Sequence, residues 1–402
     1  MDLVKRFLKY VSFDTQSDDN SNTAPSTSKQ LNLAKYLVNE LKSIGCIDVF
    51  VDQYGIVYST IPSNVDEKVD TIGLIAHMDT SPDCSGANIK PRIITKYDGS
   101  DIVLNETTIM KVEEFESLKK NIGEDLIVTD GTTLLGADDK AGIAIIVEAA
   151  YRIINDKKIK HGDIKIAFTP DEEVGRGTEN FDVKYFNADY AYTLDGGDIN
   201  FIEYENFNAA SALVNVKGIN IHPGSAKDKM VNAILLAKEF DDALPSEEIP
   251  SKTEGYEGFH HLNDFNGDVE NVNMFYIIRN HDEDILNRQI EDFKVAASKV
   301  NEKYNGEFVT VNIKNGYKNM KEVILANPKV LERATKAYET LNIPYTFTPI
   351  RGGTDGANLS FAGLPCPNLG DGGYNFHGRY EYVSITQMRK MVKIILEILK
   401  VK

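Results

Sequence analysis

The stretch "GDIKIAFTPDEEVGRG", Gly162 to Gly177, runs apolar and then stops on three consecutive acids, Asp171, Glu172 and Glu173, before turning on glycine. Like charges side by side at the end of a buried strand cost stability unless a cation or a chemical task offsets them. The layout recurs. "TIGLIAHMD" (71–79) ends on His77 and Asp79, and "ADYAYTLDGG" (188–197) carries Asp195 after its apolar run. Near-continuous apolar runs suit strands covered on both faces. Between them, "DKAGIAIIVEAAYRIIND" (139–156) is helical in period. Strands separated by helices predict an α/β fold, a mixed and largely parallel sheet flanked by helices. In such a sheet the carboxyl ends of the strands share one edge, and ligands bind there.

Outward from this core, Leu3, Val4, Phe7, Leu8 and Val11 give the opening segment one apolar helical face. "SKQLNLAKYLVNELKSIG" (28–45) is a helix stopped by Gly45, and "DVFVDQYGIVYSTIP" (48–62) reads as a hairpin. Residues 83–133 are too long for a plain connection and are expected to carry β-structure of their own. From Phe207 the pattern becomes strand–helix–strand–strand–helix–strand, the order of an α+β sandwich. The expected organisation is a discontinuous catalytic domain, 1–206 and 319–402, with an inserted lid domain at 207–318. Ser384 and Gln387 fit a capping box for the last helix.

The chain has 402 residues and a net charge of −17, which argues against nucleic acid and anionic membrane surfaces as partners. No run approaches the ~18 apolar residues of a membrane span. The opening residues lack a signal-peptide layout, so a cytoplasmic protein is expected. Cys46, Cys84 and Cys366 form no C-x-x-C pair, which disfavours a disulfide framework and a thiolate metal site. Cys84 is read as a small side chain in a tight loop rather than a nucleophile.

Five loops bring imidazole or carboxylate toward one sheet edge: His77 with Asp79, Asp138 with Asp139 in "LLGADDKAG", Glu172 with Glu173, Asp195, and His377 in "DGGYNFHGRY". Singly, each has a structural explanation. Asp138-Asp139 suits a helix N-cap, Asp195-Gly-Gly a turn, and Glu172-Glu173 a solvated loop. Together they match a sulfur-free metal site that takes zinc, or manganese or cobalt. Two histidines with several carboxylates exceed what one zinc needs and suit two ions sharing a bridging carboxylate.

"AHMDTSPDCSG", "TLLGADDKAGIA", "HGDIKIAFTPDEEVGRGT", "YTLDGG", "FNAASALVNVKG", "HPGSAKDKMVNA", "TEGYEGF", "PIRGGTDGANLSF", "GLPCPNL" and "GGYNFHG" follow one another along nearly the whole chain. In this order they resemble the tripeptide aminopeptidases of the dizinc exopeptidase family, which also includes carboxypeptidase G and succinyl-diaminopimelate desuccinylase. The resemblance implies two zinc ions per subunit, with Asp138 bridging them. His77 and Asp195 would complete one ion, and Glu173 and His377 the other. Asp79 would hold the His77 ring, and Glu172 would be the general base. It also implies tripeptide substrates, a homodimer as one arrangement, and a lid histidine, His222, that donates to the tetrahedral intermediate from its own or a partner subunit.

A tripeptide also has a C-terminal carboxylate, for which Arg279 and Arg351 are the candidate forks. Two alternatives stay open. One is a deacylase or carboxypeptidase using the same metals. The other is an acidic binding module around a structural ion, against which Glu172, an acid beside the site without a ligand's role, argues. "GFHHLN" puts His260 and His261 on opposite strand faces, so a shared metal is not expected. His161 and His281 lie among polar residues and are expected at the surface. "RGGTDG" lacks the lysine and spacing of a phosphate loop.

Overall fold

In the computed structural model, which describes residues 1–401, Ile72–His77 lies between Ile164–Thr169 and Tyr190–Leu194 and runs parallel to both. These strands occupy the centre of an eight-stranded sheet. From one edge its order is Ile47–Val51, Val57–Ile61, Ile164–Thr169, Ile72–His77, Tyr190–Leu194, Asn368–Leu369, Phe201–Glu203 and Thr346–Phe347. His77 pairs with Thr169, so the segments following these two strands leave the sheet at one level. Every residue of Ile72–His77 and of Tyr190–Leu194 is buried, as the unbroken apolar runs predict. The 47–61 hairpin forms and pairs antiparallel with Ile164–Thr169, which makes the sheet mixed.

Ala137–Asn155 is the helix that packs on the central strand. Ile143, Ile145, Ile146, Val147 and Ile153 are fully or almost fully buried, and each such side chain contributes about 1.5–3 kcal/mol. Gly142 permits the close fit: a Cβ there would stand 2.0 Å from the carbonyl oxygen of Leu194 and 2.3 Å from Asp139 Oδ1. The amphipathic helix Leu3–Tyr10 packs on this helix too, but Arg6 joins its buried face, because Glu40 at 3.0 Å and Glu148 at 2.7 Å neutralise it. Gly45 ends Gln30–Ile44 at φ 104°.

The 83–133 segment does carry its own strands. Leu126–Val128 pairs with Arg92–Ile94 on one side and with Tyr382–Ser384 on the other, and Tyr382–Ser384 pairs with Gly373–Tyr374. The hairpin that bears His377 therefore rests on this segment. Half of the predicted capping box forms: Ser384 Oγ accepts the Gln387 N–H, whereas the Gln387 side chain bonds Asn121 and Tyr374 instead.

The chain divides into two units. One holds Met1–Tyr204, Lys321–Thr348 and the residues from Thr354 onward; the other holds Glu205–Met320 with Pro349–Gly353. The second unit has the strand order Phe259–Gly267, Asn271–Asn280, Asn208–Lys217, Val309–Asn315, antiparallel throughout. The helices Ala233–Asp242 and Glu283–Tyr304 bury Leu236, Phe240, Phe293 and Val300 against Val214, Met274 and Tyr276 of this sheet. His260 is buried and His261 exposed, as strand alternation requires. The expectation for two other histidines is corrected. His161 is 3% exposed, with Nδ1 2.8 Å from the carbonyl of Gly162. His281 is 9% exposed, lies against the Phe207 and Tyr256 rings, and has Nε2 3.1 Å from the carbonyl of Ile350. Distant segments decided their burial: the His161 N–H donates to Asn64 Oδ1 at 2.9 Å, and His281 is covered by the Phe207 and Tyr256 rings and the Ile350 carbonyl. Among the described residues no helix is long and apolar enough to cross a membrane.

Candidate metal centre

Asp138 divides its carboxylate between two imidazoles. Oδ1 lies 2.8 Å from His77 Nε2, and Oδ2 lies 3.4 Å from His377 Nε2. Glu173 Oε2 stands 2.9 Å from the same nitrogen of His377, and Asp195 Oδ1 stands 3.9 Å from His77 Nε2. His77, Asp138 and Glu173 offer ligand atoms within 4.8 Å of one another, and so do His77, Glu172 and Asp195. The loops predicted to meet at the sheet edge therefore do meet. Glu172 comes as close to His77 and Asp195 as a ligand would, so proximity alone does not separate base from ligand.

Backbone clamps hold the arrangement. Asp79 is fully buried; its Oδ1 accepts the N–H of Glu172 at 3.0 Å and its Oδ2 that of Glu173 at 3.1 Å. His77 Nδ1 lies 3.1 Å from the backbone carbonyl of Asp79 and 3.3 Å from its Oδ1, which leaves Nε2 to face an ion. Asp138 and Asp139 have non-helical dihedrals at the mouth of Ala137–Asn155. Asp139 Oδ2 accepts the N–H of His77 at 3.0 Å, so it supports the site from beneath.

Two further acids escaped the sequence reading. Glu381 accepts from the N–H groups of Leu135 (2.6 Å), Gly136 (2.8 Å) and Asp138 (3.0 Å), which fixes the loop of Asp138. The only available signal was its place four residues after His377. Asp355, in "RGGTDG", is buried and accepts from Thr169 Oγ1 at 2.8 Å. That motif thus buries an acid near the Ile164–Thr169 strand.

The electrostatics demand positive charge at this place. Burial, then the Asp138 charge, raises the Glu173 carboxyl to about 7. Burial raises Asp195 to about 6 and lifts Glu172 well above the usual carboxylate range, Asp195 adding to the latter. Burial disfavours the charged form of His77, but hydrogen bonds to Asp138 and Asp79 outweigh it and raise the ring well above its ordinary value. Hydrogen bonds to Asp138 and Glu173 raise His377 to about 11. Burial opposes the charge on Asp138, yet hydrogen bonds from both histidines hold it below its usual value. Without a cation, protons occupy the places where divalent ions would bind. Glu173 Oε1 is buried with no hydrogen-bond partner among the described residues. An oxygen left so is costly unless a cation meets it. The donor set fits a pair of divalent ions of the zinc, manganese or cobalt kind.

The three predicted substrate residues all belong to the second unit. His222 is exposed; its Nδ1 accepts the N–H of Gly224 at 3.1 Å, which puts the proton of the neutral ring on Nε2. Arg279 donates from Nη1 to the carbonyls of Ala210 and Ile278 and lies over the Tyr317 ring. Its Nη2 has no hydrogen-bond partner among the described residues. Arg351 is more fully engaged: Nη1 bonds the carbonyls of Gly255 and Glu257, and Nη2 bonds Thr253. It ties down the "TEGYEG" loop and stacks over Phe207 and Phe259.

Residues 130–401 match the family Peptidase family M20/M25/M40. A Peptidase T of Clostridium botulinum (strain Loch Maree / Type A3) is 53% identical over 399 residues, covering 99% of this chain and 98% of that protein. A Peptidase T of Caldanaerobacter subterraneus subsp. tengcongensis is 52% identical over 400 residues, with the same coverage of both chains. The crystal structure of aminopeptidase PepT from Bacillus cereus ATCC 10987 superposes with a TM-score of 0.76 at 26% identity, covering 99% of this chain and 97% of that one.

Proposed function

Because the chain belongs to peptidase family M20/M25/M40, we propose that it is a cytoplasmic, zinc-dependent aminopeptidase that removes the N-terminal residue from tripeptides. The observation that carries this reading is Asp138 set between His77 and His377, with Glu173 and Asp195 beside them. The tripeptide preference draws on the Peptidase T relatives, alike over almost the full length.

His77, Asp138 and Asp195 would hold one zinc, and Asp138, Glu173 and His377 the other, with manganese or cobalt as substitutes. When bound, the pair would polarise the scissile carbonyl and lower the pKa of a water. Glu172 takes the proton of the attacking water and delivers it to the departing amine. Glu172 stands beside His77 and Asp195, within reach of a water held at the metal pair. Asp79 keeps His77 in its binding tautomer and fixes the amides on either side of Glu172's Cα and Glu173's carboxylate turn. His222 would donate Nε2–H to the oxyanion, in its own subunit or across a homodimer. Arg279, with an open Nη2 edge, would grip the substrate's terminal carboxylate. Arg351 would join it by exchanging its bonds to the Thr253–Glu257 loop for the carboxylate.

The test is a series of di-, tri- and tetrapeptides with free and blocked N-termini, assayed with chelator and with restored zinc. Zinc-restored cleavage that favours free tripeptides is expected. Preference for N-acyl amino acids would replace this reading with the deacylase. Cleavage unaffected by chelation would overturn the metal mechanism.

A further inference from the structure

Asp171 heads the acidic run, yet the chemistry above gives it no task. It is 2% exposed and holds a left-handed backbone at φ 60°, which aspartate tolerates better than most residues. Its carboxylate turns away from the cluster. Oδ2 accepts the N–H of Ser26 at 2.6 Å, while Oδ1 accepts from Ser26 Oγ at 2.5 Å and from Gln30 Nε2 at 2.6 Å. Gln30 Oε1 in turn accepts the N–H of Asp171 at 3.2 Å.

The clasp is part of a longer contact. Arg176, on the same loop, donates to the carbonyls of Ser21 (2.8 Å) and Thr23 (3.0 Å). Toward the His77 loop, the Thr80 N–H donates to Thr15, the Ser17 N–H donates to Thr80, and Gln16 Nε2 reaches the carbonyls of Ser81 and Cys84. Lys140, beside Asp138-Asp139, donates to the carbonyl of Phe13 at 2.9 Å. Residues 13–30 thus hydrogen-bond to three of the loops that carry the metal centre.

We propose that residues 13–30 act as a positioning strap for the metal centre, and that Asp171 is the positioning residue through which the strap aims Glu172 and Glu173. The inference rests on the roles proposed for those two glutamates. Asp79 holds the amides of Glu172 and Glu173, and the Asp171 carbonyl accepts the Arg176 N–H at 2.9 Å, but neither contact holds the side chain or the N–H of Asp171. The Ser26 and Gln30 bonds fix that residue. Loosening it would misdirect the base and one ligand without touching the substrate.

The test is Asp171→Asn, which sets an NH2 against the donors of Ser26 and Gln30. A loss of about 10–100-fold in kcat is expected, the range seen when outer-shell partners of a metal site are removed. KM should stay near wild type, and the zinc retained per chain after desalting should fall. Adding Gln30→Glu supplies an acceptor both for the backbone N–H at 171 and for the new amide, so the double variant should regain most of the lost kcat and zinc. A residue that merely stabilised the fold would not give that split or that rescue. Unchanged kcat and zinc in Asp171→Asn, or no recovery in a folded double variant, would overturn the proposal. If Asp171→Asn does not fold, Ser26→Ala decides, with lowered kcat in support and unchanged kcat against. Full activity in Glu172→Gln would instead overturn the role of the base, a different failure.

Discussion

Asp79 and Glu172 meet through the backbone: Asp79 Oδ1 accepts the Glu172 N–H at 3.0 Å, and its other oxygen accepts the Glu173 N–H at 3.1 Å. The same buried carboxylate stands 3.3 Å from His77 Nδ1. Asp79 therefore orients, by its carbonyl and its carboxylate together, the ring proposed for one ion, and by its carboxylate the turn that carries both the proposed base and a ligand of the other ion.

Asp79→Asn would replace an acceptor with a donor facing either an amide N–H or the His77 ring. The expected result is a loss of about 10–100-fold in metal affinity or activity, read by chelator competition and by kcat/KM. Wild-type values in both would remove Asp79 from this role.

Glu172→Gln separates the base from a ligand. As a base, its loss should lower kcat by about 10²–10⁴-fold, with two ions per chain still measured by elemental analysis. Glu173→Ala should behave differently and reduce the metal content, since its Oε1 is buried with no hydrogen-bond partner among the described residues. Metal loss in Glu172→Gln equal to that in Glu173→Ala would make Glu172 a ligand.

The metal-free protein should lose stability as pH rises. Glu173 is raised from 4.5 to about 7 and Asp195 from 3.8 to about 6, chiefly by burial. His377 is raised from 6.5 to about 11 by Asp138 and Glu173. A folded-state pKa above the unfolded value gives stability that is complete below the unfolded pKa and lost as pH climbs through the folded one. All three groups act in this direction; Asp138, held low, acts in the opposite sense only in acid. Thermal melts of chelated protein should therefore show Tm falling from about pH 5 to pH 8, and zinc should flatten the slope. A chelated protein with a level Tm over that range would contradict the charge balance described here.

Arg279→Ala should raise KM for tripeptides and narrow the difference between tri- and tetrapeptides, with kcat less affected. A charge-assisted bond to a carboxylate is worth about 1.5–3 kcal/mol, roughly a 10–100-fold change in KM. Unchanged kinetics would take Arg279 out of the clamp.

The sequence alone determined the parallel core and the edge on which the acids gather. Apolar runs that end on His77, Glu172 and Asp195 encode strand ends directly, because burial on both faces leaves no polar position until the strand stops. Only the tertiary structure decided what each acid faces. Asp171 bonds Ser26, 145 residues away, and Glu381 holds Gly136 and Asp138 from 245 and 243 residues away. Such partners have no period and no local spacing; they exist only once the sheet has brought distant loops to one edge. The same reason buried His161 and His281 among polar sequence neighbours, and filled the Arg351 fork with carbonyls of the Thr253–Glu257 loop. Local pattern records which face of an element is covered, and the fold supplies the atoms that cover it.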